Sequence, residues 1–448
     1  MSEMETKPAC ETIEQSADAT AAAVPSRRDF MKTTTAVLTA GLIGTQLSSA
    51  VYAQGSPKIK VGLVGCGGRG GGAAQQALHA DDGAELVALC DLFPDAADKK
   101  LAELKLSDAA TQINVTKDTI FTGFDGYKHL IDSVDVVLMA TTPHFRPMML
   151  KYAIEKKKHI FCEKPVGVDA KSVKEVMDLS KEAEKNKLNL VSGLCYRYDQ
   201  YVRETVDQVH QGKIGDIVNI NSNYLTTWLW NKPRQPQWSE MEYQVRNWLY
   251  YYWLSGDHVV EQHIHSLDKA LWIMKDVPPT RVLSTGGRQQ RTAKEFGNIY
   301  DHFANVFEWD MGEGRTVRCF SLCRQYNECA TDVSDLVFGT EGTANLDEHR
   351  ITGKTMWKRK AKTPENMYDS EHKALFGAIR SGNVINNGDY MCKSTLMGIM
   401  ARESAYSGKT ITWDQILDSK QDLSPKDGFK FGPVETAPVA VPVDYKFV

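Results

Sequence analysis

The sequence predicts an α/β protein of two domains, the first on a parallel sheet and the second an α/β domain on a large, mainly antiparallel sheet. Three observations carry this reading. Short apolar runs alternate with amphipathic helical stretches from Lys58 to about Leu194, which is the pattern of βα repeats. Longer alternating segments take over after about Ile214. A glycine-rich turn joins the first apolar run to the first helical stretch.

The leader comes first. Residues 1 to 25 are rich in Ala, Thr, Glu and Ser without apolar periodicity, and Ser26-Arg27-Arg28-Asp29-Phe30-Met31-Lys32 follows. A stretch of small and apolar residues runs from Ala36 to Leu47, and Val51-Tyr52-Ala53 has the small-residue shape of a cleavage site. Paired arginines before a modestly apolar run read as a twin-arginine signal over residues 1–53. The expectation is export of the folded chain to the periplasm by the twin-arginine machinery. The run is well under the ~20 residues of a membrane span, so no stable span is expected after processing.

The first domain, residues 58–194, draws its strands from Ile59 to Val64, Glu85 to Cys90, Val134 to Met139, His159 to Cys162 and Leu188 to Val191, within a count of about six. Helical stretches such as Ala96 to Leu106, Pro147 to Lys157 and Ala170 to Asn186 lie between them. The second domain, residues 195–448, has strand-like segments at Ile217 to Tyr224, Val282 to Arg288, His302 to Trp309 and Arg315 to Cys323. One strong helix is expected from about Val259 to Met274. Helices near His372 to Arg380 and Lys393 to Tyr406, which could pack back on the first domain, precede an irregular tail from Leu423.

Composition limits the partners. A length of 448 residues suits two domains plus appendages, and 42% hydrophobic with 25% charged residues is that of a soluble globular chain. A net charge of -4 supplies no basic field, so nucleic acid is not an expected partner. Nine cysteines, sparse and irregular even where Cys319, Cys323 and Cys329 cluster, read as reduced thiols rather than a disulfide framework.

Gly65-Cys66-Gly67-Gly68-Arg69-Gly70 fits G-x-G-x-x-G directly after the first strand and at a helix start. Such glycines let the backbone turn tightly and approach a pyrophosphate that faces the helix N-terminus. Asp91 follows the second strand 21 residues after Gly70, where a carboxylate hydrogen-bonds ribose hydroxyls and repels a 2′-phosphate. The motif predicts a Rossmann domain for NAD, with Arg69 as either a solvated helix-start residue or a pyrophosphate contact. An exported enzyme meets no free nicotinamide pool, so its NAD should be tightly held and regenerated within each turnover.

Met139-Ala140-Thr141-Thr142-Pro143 and Cys162-Glu163-Lys164-Pro165, each at a strand end, resemble the Gfo/Idh/MocA oxidoreductase family. So do Ile214-Gly215-Asp216-Ile217 and the stretch Glu261-Gln262-His263-Ile264-His265-Ser266-Leu267-Asp268. The resemblance covers about residues 58 to 415 and implies a C-terminal α/β domain whose open sheet carries the substrate pocket. It also implies dimers or tetramers packed through that sheet. Two departures stand out: Glu261 and His263 replace the family's Asp and Gly, and His144-Phe145-Arg146 replace its usual residues after the Thr-Pro turn. Within this frame Thr141, Pro143, Glu163 and Lys164 join the glycine loop as cofactor residues.

Charge assigns the chemistry. Hydride removal beside a hydroxyl needs a base for the hydroxyl proton, and His265 suits it because imidazole titrates near neutrality. Lys164 can hydrogen-bond the reacting oxygen and steady alkoxide charge. Glu261, four residues before His265, should share its helix face and orient substrate or imidazole. His258, Glu261, His263 and His265 do not match a metal-site order, and no metal is expected. Five of the nine tryptophans fall between Tyr224 and Trp253, and flat aromatic faces suit sugar rings as well as packing. Tyr196, Arg197, Trp228, Arg246 and His263 are the substrate candidates, for a sugar, glycoside or cyclitol. Net dehydrogenation of a ring alcohol leads. A redox-neutral glycosidase or lyase working through a transient 3-keto sugar is the alternative.

Overall fold

The structure, a computed structural model, describes residues 58–360 and 365–448, so the leader expected over 1–53 lies outside the described residues. Strands β1 (Ile59–Val64), β2 (Ala84–Asp91), β3 (Ile120–Thr122), β4 (Val136–Met139), β5 (His159–Cys162) and β6 (Leu190–Ser192) form a parallel sheet in the order β3-β2-β1-β4-β5-β6. Its central strands are apolar without alternation: every residue of β4 is buried, because helices cover both faces. Those helices are α1 (Gly68–Ala80), α2 (Pro94–Leu104), α3 (Gly126–Ser133), α4 (Arg146–Glu155) and α5 (Ala170–Lys185). The strand order reverses between β1 and β4, so a crevice opens at their C-terminal ends.

The second domain begins with α6 (Gln200–His210) and β7 (Ile217–Thr226) and continues through α7 (Glu240–Arg246), α8 (Tyr252–Ser255), α9 (His258–Glu261) and α10 (Ile264–Ile273). Strands β8 (Arg281–Gly287), β9 (His302–Asp310), β10 (Thr316–Gln325), β11 (Asp332–Gly339), β12 (Gly342–Asn345), β13 (Arg350–Gly353) and β14 (Trp357–Lys358) follow. Helices α11 (Met367–Ser381) and α12 (Gly388–Ser407), strand β15 (Ile411–Thr412) and helix α13 (Trp413–Asp418) complete the regular elements. The nine strands run β14-β13-β12-β11-β7-β10-β9-β8-β15, all pairs antiparallel except β7 with β10.

Strand β10 shows why one face is inside: Val317, Cys319, Ser321 and Cys323 are buried and Arg318, Phe320 and Leu322 are not. On the outer face Leu283 pairs with Val306 and Val306 with Phe320, an apolar row. Leu283, Phe320 and Leu322 are 41–54% exposed there.

Two late helices bind the halves together. Helix α11 packs on α1 and adds Leu375, Phe376 and Ile379 to the core beneath the first sheet. Helix α12, buried on nearly all sides, lies against both α5 and α10.

The helix expected from Val259 to Met274 is broken. The His263 N–H reaches back five residues to the His258 carbonyl (3.0 Å), a wide turn that separates α9 from α10. Of the eight described cysteines all are free and only Cys329 is exposed.

Candidate active site

The glycine loop is built to admit a ligand on one side only. Gly65 has φ +98°, and a Cβ there would lie 2.6 Å from the Ala140 carbonyl carbon and oxygen; one on Gly70 would lie 1.9 Å from the Gly65 oxygen. Gly67 and Gly68 face open space, and no side chain caps the N-terminus of α1, so its N–H groups are left for an anion. Asp91, at the tip of β2, accepts from the Cys66 N–H (2.7 Å) and the Phe93 N–H (3.0 Å). A carboxylate has about four lone-pair sites, so capacity remains for ribose hydroxyls. Burial pushes the Asp91 pKa up, against the pull of those two bonds.

From this loop a cleft of about 890 Å³ runs along the C-terminal ends of β2, β1 and β4, lined by Asp91, Phe93, Phe124 and Thr141. Its opposite wall is Trp230, Lys232, Trp238, Arg246 and Trp248. These observations fit a dinucleotide: open glycines and an uncapped helix for the pyrophosphate, Asp91 for the ribose.

Arg69 lines the cleft, but its guanidinium is already engaged. Its guanidinium bonds Glu163, Gln76 (2.6 Å) and Glu371 (2.8 Å) and lies over the rings of Phe161 and Tyr368. The pyrophosphate would therefore meet backbone amides rather than this cation. Glu163, 4% exposed, is held by Arg69 and is not part of the cleft wall. Pro143 is buried in the short turn Pro143–Phe145, and Thr141 and Thr142 reach the cleft instead.

One strand further along, at the end of β5, Lys164 Nζ donates to the Glu261 carbonyl (2.5 Å) and to Glu261 Oε1 (2.9 Å). Both side chains are about 15% exposed, enough to meet a substrate. Glu261 thus grips the lysine rather than the imidazole, because the wide turn at His263 ends the helix face it was expected to share with His265.

The His265 imidazole makes no hydrogen bond among the described residues; Nδ1 is buried without a partner and the Tyr196 ring meets it edge-on at 5.5 Å. Burial, then the cations of Lys164, Lys269 and Arg69, hold its pKa well below the ordinary histidine value. Where the sequence suggests titration near neutrality, burial and the neighbouring cations favour the neutral, proton-accepting imidazole.

Tyr196 carries Lys269 Nζ 4.3 Å from its ring centre. Tyr224, on β7, lies within electrostatic reach of Tyr196, Lys164, Lys269 and Glu261, and its hydroxyl has no hydrogen bond among the described residues. Sequence reasoning passed over it as the edge of an aromatic segment. Its strand's alternation, which turns every second residue toward the helices, was the available signal.

The other four substrate candidates are each held by neighbours. Arg197 is clamped by Asp268 (2.9 Å) and Asp276 (2.7 Å) between Trp272 and Tyr390, a buried structural ion pair. His263 is fully buried and bonded to the Ser321 hydroxyl, and burial pushes its pKa down to about 3. Arg246 belongs to the cofactor cleft, paired with Asp95. The Trp228 indole donates to Gln290 (3.2 Å) and packs on Phe296. Among the described residues no group of three His, Cys, Asp or Glu is arranged to hold a metal ion.

Comparisons agree with this architecture. A family described as an oxidoreductase family with an NAD-binding Rossmann fold matches residues 59–193, and its C-terminal alpha/beta domain matches residues 206–407. A glycosyl hydrolase family 109 protein of Shewanella putrefaciens is 25% identical over 247 residues, 50% of each chain; the chain spans about half the length of such curated relatives. The myo-inositol 2-dehydrogenase of Lactobacillus plantarum matches in fold with TM-score 0.58 at 18% identity, over 79% of this chain and 99% of that one. A levoglucosan dehydrogenase, solved with NADH and levoglucosan, matches with TM-score 0.61 at 16% identity over 79% and 99%.

Proposed function

Because the chain belongs to the Gfo/Idh/MocA oxidoreductase family, we propose that it moves hydride between NAD and a secondary ring alcohol of a sugar, glycoside or cyclitol, holding the cofactor through turnover. The observation that carries this reading is the Lys164–Glu261 pair beside a neutral imidazole, one strand beyond the dinucleotide cleft. When bound, oxidised nicotinamide supplies the hydride acceptor. Lys164, oriented by two bonds to Glu261, donates to the substrate oxygen and stabilises its growing negative charge. His265 receives the hydroxyl proton in its neutral form. Tyr196 and Tyr224 offer hydroxyls to the ring substituents.

The name of the Shewanella relative supports a second reading, redox-neutral glycoside cleavage. Oxidation at C3 acidifies the C2 proton, elimination expels the glycosidic substituent, water adds, and the hydride returns to C3. Denaturing purified protein should release NAD; a preparation that carries no nucleotide after saturation with NAD rejects both readings. Incubation with a panel of cyclitols and aryl glycosides, without added acceptor, separates them: reduced cofactor accumulates in the first case and free aglycone in the second.

The reading extends to place and assembly. Arg27 and Arg28 support folded export to the periplasm, and cell fractionation of an Arg27→Lys/Arg28→Lys variant should find the protein retained in the cytoplasm. The apolar row on the outer sheet face supports a homodimer or homotetramer, in line with the rule that large exposed apolar patches mark interfaces. Phe320→Glu with Leu322→Glu should yield a smaller species in sedimentation; an unchanged sedimentation coefficient rejects this face.

A further inference from the structure

Both walls of the dinucleotide cleft are fastened to each other. Arg246, at the end of α7, reaches Asp95 at the start of α2 through two bonds (3.1 and 2.9 Å), while its Nε donates to Glu242 (3.0 Å). The guanidinium lies 3.8 Å from the centre of the Phe93 ring and 4.9 Å from that of Trp238. Asp95 is 68% exposed, so the ion pair alone is weak; stacking on two rings adds cation–π attraction and fixes the planar fork.

Behind this contact the C-terminal tail joins the same two walls. Phe431 packs on Phe93 and Phe124 at 6.0 and 5.4 Å between ring centres, and Phe429 packs on Phe145 at 5.2 Å. A few residues on, the tail turns to the other wall. The Met241 N–H donates to the Gly432 carbonyl (3.0 Å) and Gln244 to the Thr436 hydroxyl (2.8 Å), both from α7. Asn298 and Tyr300 then hold the Ala437 and Ala440 carbonyls at 3.0 and 2.8 Å. One stretch of eight residues, 429 to 436, therefore staples Phe93 and Phe124 on the Rossmann side to α7 on the other.

We propose that Arg246 and the tail residues Phe429 and Phe431 form a clasp over the cofactor cleft that sets how slowly NAD leaves. A dinucleotide seated between Asp91 and the glycine loop has Phe93 and Asp95 at its edge, and both are tied across the cleft by the same arginine. Release requires the aromatic wall to swing away. That motion breaks the Arg246 contacts and strips α7 from the tail. The inference rests on the reading that the protein binds NAD and retains it.

The test is exchange of bound NAD against an excess of isotopically labelled NAD, followed by mass spectrometry of the nucleotide recovered with wild type, Arg246→Ala and Phe429→Ala/Phe431→Ala. Wild type should exchange over many turnovers' time, and each variant at least ten-fold faster. Arg246→Lys, which keeps the charge but loses the planar fork, should fall between. Arg246→Ala removes a partly exposed side chain, so it remains informative even if the double variant fails to fold. Slow exchange in wild type and Arg246→Ala alike overturns the clasp while leaving retention intact. Fast exchange in wild type overturns retention itself, and the clasp with it.

Discussion

Lys164→Ala should lower kcat by roughly 10²–10³-fold, the usual loss on removing one donor from a developing oxyanion, while the purified variant still carries NAD. The separation is expected because the lysine stands at the end of β5, one strand past the cleft that β2, β1 and β4 provide. Lys164→Arg should not restore activity, since a guanidinium fork cannot reproduce the two bonds that one ammonium makes to the Glu261 carbonyl and carboxylate. His265→Ala should show a comparable loss with NAD retained. The pH profile discriminates further. The imidazole pKa is depressed, so the neutral, proton-accepting form persists as pH falls through 6.5, and kcat/KM should show no acid limb at pH 6–7. Wild-type activity in both alanine variants, measured by turnover of a substrate found in the panel, rejects the assignment.

Lys269→Met should cost roughly 3–5 kcal/mol of stability, the range for breaking a buried ion pair from one side. The ammonium and the Asp335 carboxylate it pairs with are each only 2% exposed, and Asp347 stands 3.7 Å away. Asp335 Oδ1 already lacks a hydrogen-bond partner, so without the lysine the carboxylate is buried with little to satisfy it. Burial raises the Asp335 pKa and the lysine lowers it, so the variant should take up a proton there. Urea unfolding measures the effect, and Lys269→Met/Asp335→Leu should recover much of the loss. A midpoint unchanged in the single variant contradicts the account of this pair.

The sequence made the first domain legible because its signals are local. Glycines that cannot carry a Cβ, an aspartate at a strand end and unbroken apolar strands each declare themselves within a few residues. Strand β3 escaped because it is three residues long with none of them buried. The second domain's errors share one cause, partners distant in the chain. Arg197 has the look of a substrate ligand until Asp268 and Asp276, more than seventy positions on, are seen to enclose it. His263 was drawn from the pocket by Ser321, and in turning inward it broke the helix that was to align Glu261 with His265. The aromatic segment divided: Tyr250, Tyr251 and Trp253 entered the core, while Trp230, Trp238 and Trp248 line the cofactor cleft. No periodicity marks the tail, whose ordering comes from rings and carbonyls met one at a time.

Arg69, in the first described helix, pairs with Glu371, which follows it 302 positions later in the chain. At a synthesis rate of about 5–20 residues per second, roughly 15 to 60 seconds separate the emergence of the two. During that interval α1 has neither its ion-pair partner nor the apolar face of α11, so the nucleotide-binding half cannot reach its final packing until α11 has emerged. Such long sequence separation also slows the search for native contacts. Final packing of the first domain is therefore a late event, and nascent chains stalled before Glu371 emerges should remain protease-sensitive over residues 58–194.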